Sequence, residues 1–366
     1  MRIRRAVTTL ALATTLTAGA AASMATAAPA VSASPSAAPT VQEILGHLPD
    51  DVVAGALVRQ DGVSVTAGPV TADAYFRIGS VTKVFTNTVI LQLVAEHRID
   101  LNAPARKYVP DVLPQAYGHV TVRQLLDHTS GLPKPARTPD PADGPGWQLE
   151  SVSPADLLHE SFAAAAPPAH RREQQYNGLN SLVLGLIVEK VTGHSFTTEL
   201  ERRIIRPLEM SHTSLPAADD PAIPSPHAEV YLDGQDVTEQ SPYPWAEGGM
   251  ISTAADLDRF LTALFQGRLL PPAQQSLVFK VPNVSNAADN TNCAGKDACY
   301  SVGGLMRYQL PNGQYAWGKT GSRPGWDNGI FATRDLRHRV VYSLNPTGTG
   351  NDLPYIKALV NAGLAG

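Results

Sequence analysis

The sequence predicts an α/β (α+β) protein: an antiparallel sheet built from both chain ends, flanked by helices, with a mostly helical lobe inserted between them. Three observations lead there. Strand signals cluster at Val52–Thr66 and return after Tyr300, close to the C-terminus. Between Asn102 and about Asn283 the chain reads as helices joined by Pro-rich connections. The segment from Ser80 to about His97 is apolar around most of its circumference, the pattern of a helix buried at a domain centre.

Taken in order, Val41–Leu48 reads as a short helix, and Val52–Thr66 as a hairpin turning at Gln60-Asp61-Gly62, where Asp-Gly supplies the positive φ angles of a tight turn. The buried helix follows at Ser80. Further helices are expected at Val122–Asp127, Pro154–Ala164, Leu179–Thr192, Phe196–Ile205 and Ala254–Gln266. The Pro-, Asp- and Gly-rich run Lys134–Trp147 is expected to be a surface loop. Strands are expected at Tyr300–Gln309, Tyr315–Thr320, Asp327–Thr333 and Val340–Leu344, then a closing helix at Leu353–Ala362. The domain therefore divides into an α/β part, 41–102 with 284–366, and a helical lobe, 103–283.

The chain has 366 residues, 43% hydrophobic and 17% charged, with a net charge of −4. That balance supplies ample apolar material for a core and points away from nucleic acid and anionic membranes. Residues 1–27 read as a secretory signal peptide: Arg2, Arg4 and Arg5, an Ala/Thr/Leu-rich stretch, then Ala25-Thr26-Ala27 as a small-x-small cleavage pattern. The stretch is too short and too rich in Thr and Ala for a membrane span. Residues 28–40 are an Ala/Pro/Ser-rich spacer, so the mature protein is expected outside the cell. The two cysteines, Cys293 and Cys299, are expected to close a small disulfide loop, two free thiols being the alternative. The ten histidines show no metal-ligand spacing, so neither metal nor cofactor is expected.

The chemistry begins at Ser80-Val81-Thr82-Lys83. A serine hydroxyl needs a base to become a nucleophile, and positions i and i+3 of a helix share a face, so Lys83 can reach the Ser80 oxygen. A lysine serves as base when burial or a nearby cation lowers its pKa. The second element is Trp317-Gly318-Lys319-Thr320-Gly321-Ser322, a strand that can donate a backbone N–H to an oxyanion and bring a second cation, Lys319. Arg323, directly after it, and Arg307 are candidates to bind a substrate carboxylate. Tyr176 is a candidate proton shuttle, because a tyrosine beside two lysines can hold a lowered pKa.

Ser-x-x-Lys followed by a Lys-Thr-Gly strand resembles the serine β-lactamase and penicillin-binding-protein superfamily. Phe76-Arg77-Ile78-Gly79-Ser80, the stretches Val122–Pro133 and Gly185–Gly193, and Glu247–Leu257 resemble its class C β-lactamase-like branch, most of all secreted actinobacterial D-alanyl-D-alanine carboxypeptidases. The resemblance implies catalytic roles for Ser80, Lys83, Tyr176 and Lys319. It also implies an oxyanion and substrate wall of Ser80, Thr320, Gly321 and Ser322. The expected activity is that of a monomeric D,D-carboxypeptidase acting on peptidoglycan stem peptides or related D-amino-acid peptides and acylated by β-lactams. A β-lactamase, esterase or D-amino-acid amidase on the same scaffold is the alternative. One position departs from the pattern. Where the family's Tyr-x-Asn carries an asparagine that contacts the lysine and the substrate's acyl-side carbonyl, this chain has Gly178, flanked by Asn177 and Asn180. That departure raises the prospect of a weakened enzyme or a non-catalytic envelope-binding relative.

Overall fold

The computed structural model describes residues 39–165, 173–290, 293 and 295–365. The expected leader and residues 28–38 of the spacer lie outside them; Thr40 already belongs to the domain, capping the first helix through Glu43 N–H. Strands run in chain order as β1 (Val53–Gln60), β2 (Val63–Ala67), β3 (Tyr75–Arg77), β4 (Glu173–Gln174), β5 (Tyr231–Leu232), β6 (Gln235–Asp236), β7 (Ile251–Thr253), β8 (Ser285–Asn286), β9 (Met306–Gln309), β10 (Tyr315–Arg323), β11 (Trp326–Thr333) and β12 (Arg339–Pro346). The α-helices are α1 (Val41–Leu45), α2 (Thr82–Ala95), α3 (Val122–Leu126), α4 (Pro154–Ala164), α5 (Leu179–Thr192), α6 (Phe196–Leu200), α7 (Ala254–Phe265), α8 (Pro272–Gln275) and α9 (Leu353–Leu364).

Six strands form one sheet in the order β2-β1-β12-β11-β10-β9, with every neighbour antiparallel. The hairpin β1–β2 turns at Asp61 (φ 48°) and Gly62 (φ 93°), as the Asp-Gly signal requires. Because β1 pairs with β12, the two chain ends close one sheet. Helices α1 and α9 cover one face, burying Leu45, Leu359 and Leu364 with Val58 and Tyr342. The other face packs on the main core, whose centre is α2.

Four expected elements differ from the structure. The helix expected from Ser80 starts as a 3-10 turn, Gly79–Val81, because Gly79 holds φ +49°, and only then becomes α2. The strand expected from Tyr300 is confined to β9, since Gly304 (φ 79°) turns the chain and Ser301 N–H bonds back to Leu305 O at 2.8 Å. Beyond Leu200 the helix α6 widens into a π turn, Glu201–Ile205. Finally, α7, assigned by its sequence position to the helical lobe, packs on the sheet. Its Asp258 accepts from Arg59 Nε on β1 (3.3 Å) and Arg339 Nε on β12 (2.7 Å), while Phe260 stacks on Phe85 of α2 at 3.7 Å. An amphipathic helix needs an apolar surface, and the sheet offers one whichever segment precedes the helix. Among the described residues, no helix is long and apolar enough to cross a membrane.

Candidate active site

Ser80 lies where the 3-10 turn Gly79–Val81 meets β10. That approach requires two glycines: a β-carbon on Gly79 would sit 2.5 Å from Ser322 O, and one on Gly321 would sit 2.0 Å from Ile78 O. β9 pairs only with Tyr315–Gly318, so the half of β10 from Lys319 to Arg323 keeps a free edge against this turn. Ser80 also opens onto a cleft of about 190 Å³, walled by Trp147, Tyr243, Glu247, Ser322 and Arg323. A larger hollow of about 760 Å³, lined by Phe265, Asn312, Arg334 and His338, contains none of the residues singled out for chemistry.

Lys83 projects back from the first turn of α2, and its Nζ donates to Ser80 Oγ at 3.1 Å and to Glu247 O at 2.8 Å. Its side chain is 1% exposed, and the Glu247 carboxylate lies 3.4 Å away. Burial alone would depress the Lys83 pKa. Glu247, with Tyr176 behind it, outweighs that and holds the ammonium above its ordinary value. That pairing favours the ammonium over the free amine that a general base at Lys83 would have to be.

Lys319, from β10, is equally buried but faces no carboxylate as close. Burial lowers its pKa, and Lys83 adds to the effect against the pull of Tyr176. Its Nζ donates to Thr320 O at 2.6 Å. Both ammonium groups lie near the Tyr176 ring, Lys83 Nζ 5.2 Å and Lys319 Nζ 4.8 Å from its centroid. Its Oη is buried without a hydrogen bond of good geometry. Burial favours the neutral phenol, but Lys319, Lys83 and the Ser80 hydroxyl together hold it below its ordinary value.

Tyr176 is placed from behind by Gln174 and Tyr300, which pattern reasoning did not single out, together with His128 and the disulfide loop. Gln174 on β4 donates to Asp127 O (2.7 Å) and Tyr300 O (2.8 Å) and accepts from the N–H groups of Cys299 and Tyr300 (both 2.9 Å). Tyr300 stacks on Tyr176 at 4.9 Å, and His128 packs against it at 4.7 Å. The Cys293–Cys299 disulfide is formed and belongs to this cluster. Burial, with the Lys83 and Lys319 charges, pushes His128 down to about 3, so it is a neutral ring. Its Nδ1 accepts from Asn177 N–H (3.3 Å) and Asn180 Nδ2 (3.0 Å).

Neither Asn177 nor Asn180 bonds to Lys83. Asn177 donates to Leu132 O and Pro133 O and caps α5 through Leu179 N–H; Asn180 also accepts from Ser130 Oγ at 2.6 Å. Of the two candidate arginines, Arg323 lines the cleft, yet its Nε, Nη1 and Nη2 are engaged by Gln240 Oε1, Tyr243 O and Ser241 O. Arg307 lies on β9 over the Tyr315 ring and is absent from the cleft wall. Thr320 turns its hydroxyl to Met306 Sδ at 3.8 Å. Two residues of the Pro-rich loop end also face the cleft with unpartnered buried atoms, Trp147 Nε1 and Gln148 Oε1. Glu247 was legible only as part of a family-like stretch, because its partner Lys83 is 164 positions away in the chain.

Among solved structures, a D-stereospecific amidohydrolase from Streptomyces sp. superposes with a TM-score of 0.76 and 33% identity, covering 87% of this chain and 97% of that one. The D-amino acid amidase of Ochrobactrum anthropi SV3 shares the fold, with a TM-score of 0.73 at 24% identity over 88% of this chain and 97% of its own. Protein flp of Staphylococcus aureus is 35% identical over 156 residues, 41% of this chain and 29% of that protein, so the match spans under a third of the relative's length. The family model described as Beta-lactamase matches residues 41–364. With that match lying over a hydrolase scaffold that brings Lys83 to Ser80 and sets both Lys83 and Lys319 against the Tyr176 ring, the chain belongs to the serine β-lactamase and penicillin-binding-protein superfamily.

Proposed function

We propose that this protein hydrolyses amide bonds of D-configured amino-acid and peptide substrates through an acyl-enzyme on Ser80. The observation that carries the reading is the Ser80 hydroxyl at 3.1 Å from a buried Lys83 ammonium, with the Tyr176 ring near both that cation and Lys319. The likeness to a D-stereospecific amidohydrolase supports the stereochemistry. Tyr176, as phenolate, takes the Ser80 proton while Lys83 and Lys319 hold its charge. Ser80 Oγ attacks the carbonyl, and the oxyanion rests between the backbone N–H groups of Ser80 and Ser322. Tyr176 then returns the proton to the departing amine, and water, activated the same way, releases the D-acyl group.

A D,D-carboxypeptidase is one member of this class, and it needs a cation to receive a C-terminal carboxylate. With three nitrogens of Arg323 bonded to protein, the cleft favours D-aminoacyl amides and short D-peptides over D-alanyl-D-alanine termini. The signal-peptide pattern of residues 1–27 and the disulfide support an exported enzyme.

Labelling with a fluorophosphonate and with a fluorescent penicillin tests the acyl-enzyme. Both should mark the wild type and leave Ser80→Ala unmarked. Side-by-side kinetics on D-phenylalaninamide, a D-Ala-D-Ala peptide, a cephalosporin and a short-chain ester then rank the substrates. Turnover of the ester alone would refute the amide reading, and a marked Ser80→Ala would refute the nucleophile.

A further inference from the structure

Gly178 leaves a space beside the nucleophile, and another residue fills it. A β-carbon on Gly178 would lie 1.8 Å from Glu247 Oε1 and 2.3 Å from Oε2, so the carboxylate occupies the volume a side chain there would take. Glu247 ends the 3-10 turn Trp245–Glu247, which lies against the same face of α5 two turns on, where a β-carbon on Gly185 would be 2.7 Å from Ala246 Cβ. The small residue at Gly178 thus admits Glu247 to the site.

The carboxylate is not consumed by that packing. Its Oε1 faces Lys83 Nζ at 3.4 Å, its side chain is 19% exposed, and it lines the Ser80 cleft. An ionised carboxylate only accepts hydrogen bonds. A substrate carbonyl placed beside it meets like polarity, whereas an ammonium group gains a charge-assisted hydrogen bond. The rest of the wall reinforces this sign. Glu150 adds a second carboxylate, and the one guanidinium on the wall, Arg323, is bonded to Gln240, Tyr243 and Ser241.

We propose that Glu247 is the receptor for a free α-ammonium group, so that the substrates are D-amino-acid amides and peptides with an unblocked N-terminal D-residue, and N-acylated equivalents are rejected. The inference rests on the acyl-enzyme reading above and adds the substrate class. Both substrate types require the same Lys83, so damage transmitted through that lysine cancels in their ratio.

The test compares D-alanine p-nitroanilide with N-acetyl-D-alanine p-nitroanilide at pH 7. Wild type should favour the free amine by at least about tenfold in kcat/KM, roughly the worth of one charge-assisted hydrogen bond. Glu247→Gln should bring the ratio close to one, with the change carried mainly in KM for the free amine. A ratio near one in the wild type, or a preference that survives Glu247→Gln, would overturn the proposal. Protection of Ser80 from fluorophosphonate by D-alaninamide, and not by N-acetyl-D-alaninamide, reads the same preference without turnover; equal protection overturns it. Failure of the acyl-enzyme reading looks different, since fluorophosphonate would then not label Ser80 at all.

Discussion

Two lysines face one tyrosine in this site, and they are not equivalent. Both are almost completely buried, Lys83 at 1% and Lys319 at 2% exposure, so the cost of desolvating their charges is similar. Lys83 sits beside the Glu247 carboxylate and is held above its ordinary pKa; Lys319 has no carboxylate as near among the described residues and is held below it. Burial therefore does not decide what a catalytic lysine does; the nearest anion decides. The Ser-x-x-Lys spacing invites a basic amine at Lys83, whereas the Glu247 carboxylate 3.4 Å away favours its ammonium form, and the proposed mechanism therefore gives proton transfer to Tyr176.

The largest effect expected from this asymmetry is on rate. Lys83→Ala removes the cation bonded to Ser80 and strands Glu247 beside the phenol, and should lower kcat/KM on the order of 10⁴-fold. Lys319→Ala removes one of two charges facing Tyr176 and should cost about 10²-fold. Steady-state kinetics on one D-aminoacyl anilide measures both, and equal losses would mean that the two lysines are interchangeable.

Next in size is the pairing of Gly178 with Glu247. Gly178→Asn pushes a side chain into the carboxylate and should cost about tenfold in acylation rate, although a missing amide at this position would have suggested a gain. Glu247→Ala in the same chain should recover much of that loss, a coupling of about 1 kcal/mol or more in a double-mutant cycle. Additive losses would place the two residues apart.

The smallest effect is a displacement of the pH profile. The activity carried by a phenolate rises with pH through the pKa of Tyr176, which lies below the ordinary value of 10.0. The Glu247 anion raises both Tyr176 and Lys83, so its neutralisation in Glu247→Gln makes the phenolate easier to form. The rising limb of kcat/KM for p-nitrophenyl acetate, an ester without an amine of its own, should move to lower pH by about half a unit or more. A limb that stays in place or moves to higher pH would remove Tyr176 as the titrating base.

Much of the fold was legible because it rests on local signals. The Asp61-Gly62 turn, the boundaries of α4 and α5 and the strands β11 and β12 follow from turn chemistry and periodicity carried within each segment. Elements that depend on a partner were misread. The strand expected from Tyr300 gave way to a turn tied to Gln174, and α7 left the helical lobe for the sheet because its apolar face and Asp258 find their partners there.

The site divides the same way. Residue order alone determined that this is a Ser-x-x-Lys, Tyr, Lys-Thr-Gly protein and made Ser80 the candidate nucleophile, since those spacings are short-range and chemically distinctive. Tertiary structure alone decided the carboxylate partner of Lys83, the engagement of Asn177 and Asn180 elsewhere, the engaged nitrogens of Arg323 and the occupation of the Gly178 space by Glu247. Each is a pairing between residues tens to hundreds of positions apart, and an electrostatic environment belongs to neighbours in space, which a linear pattern does not specify.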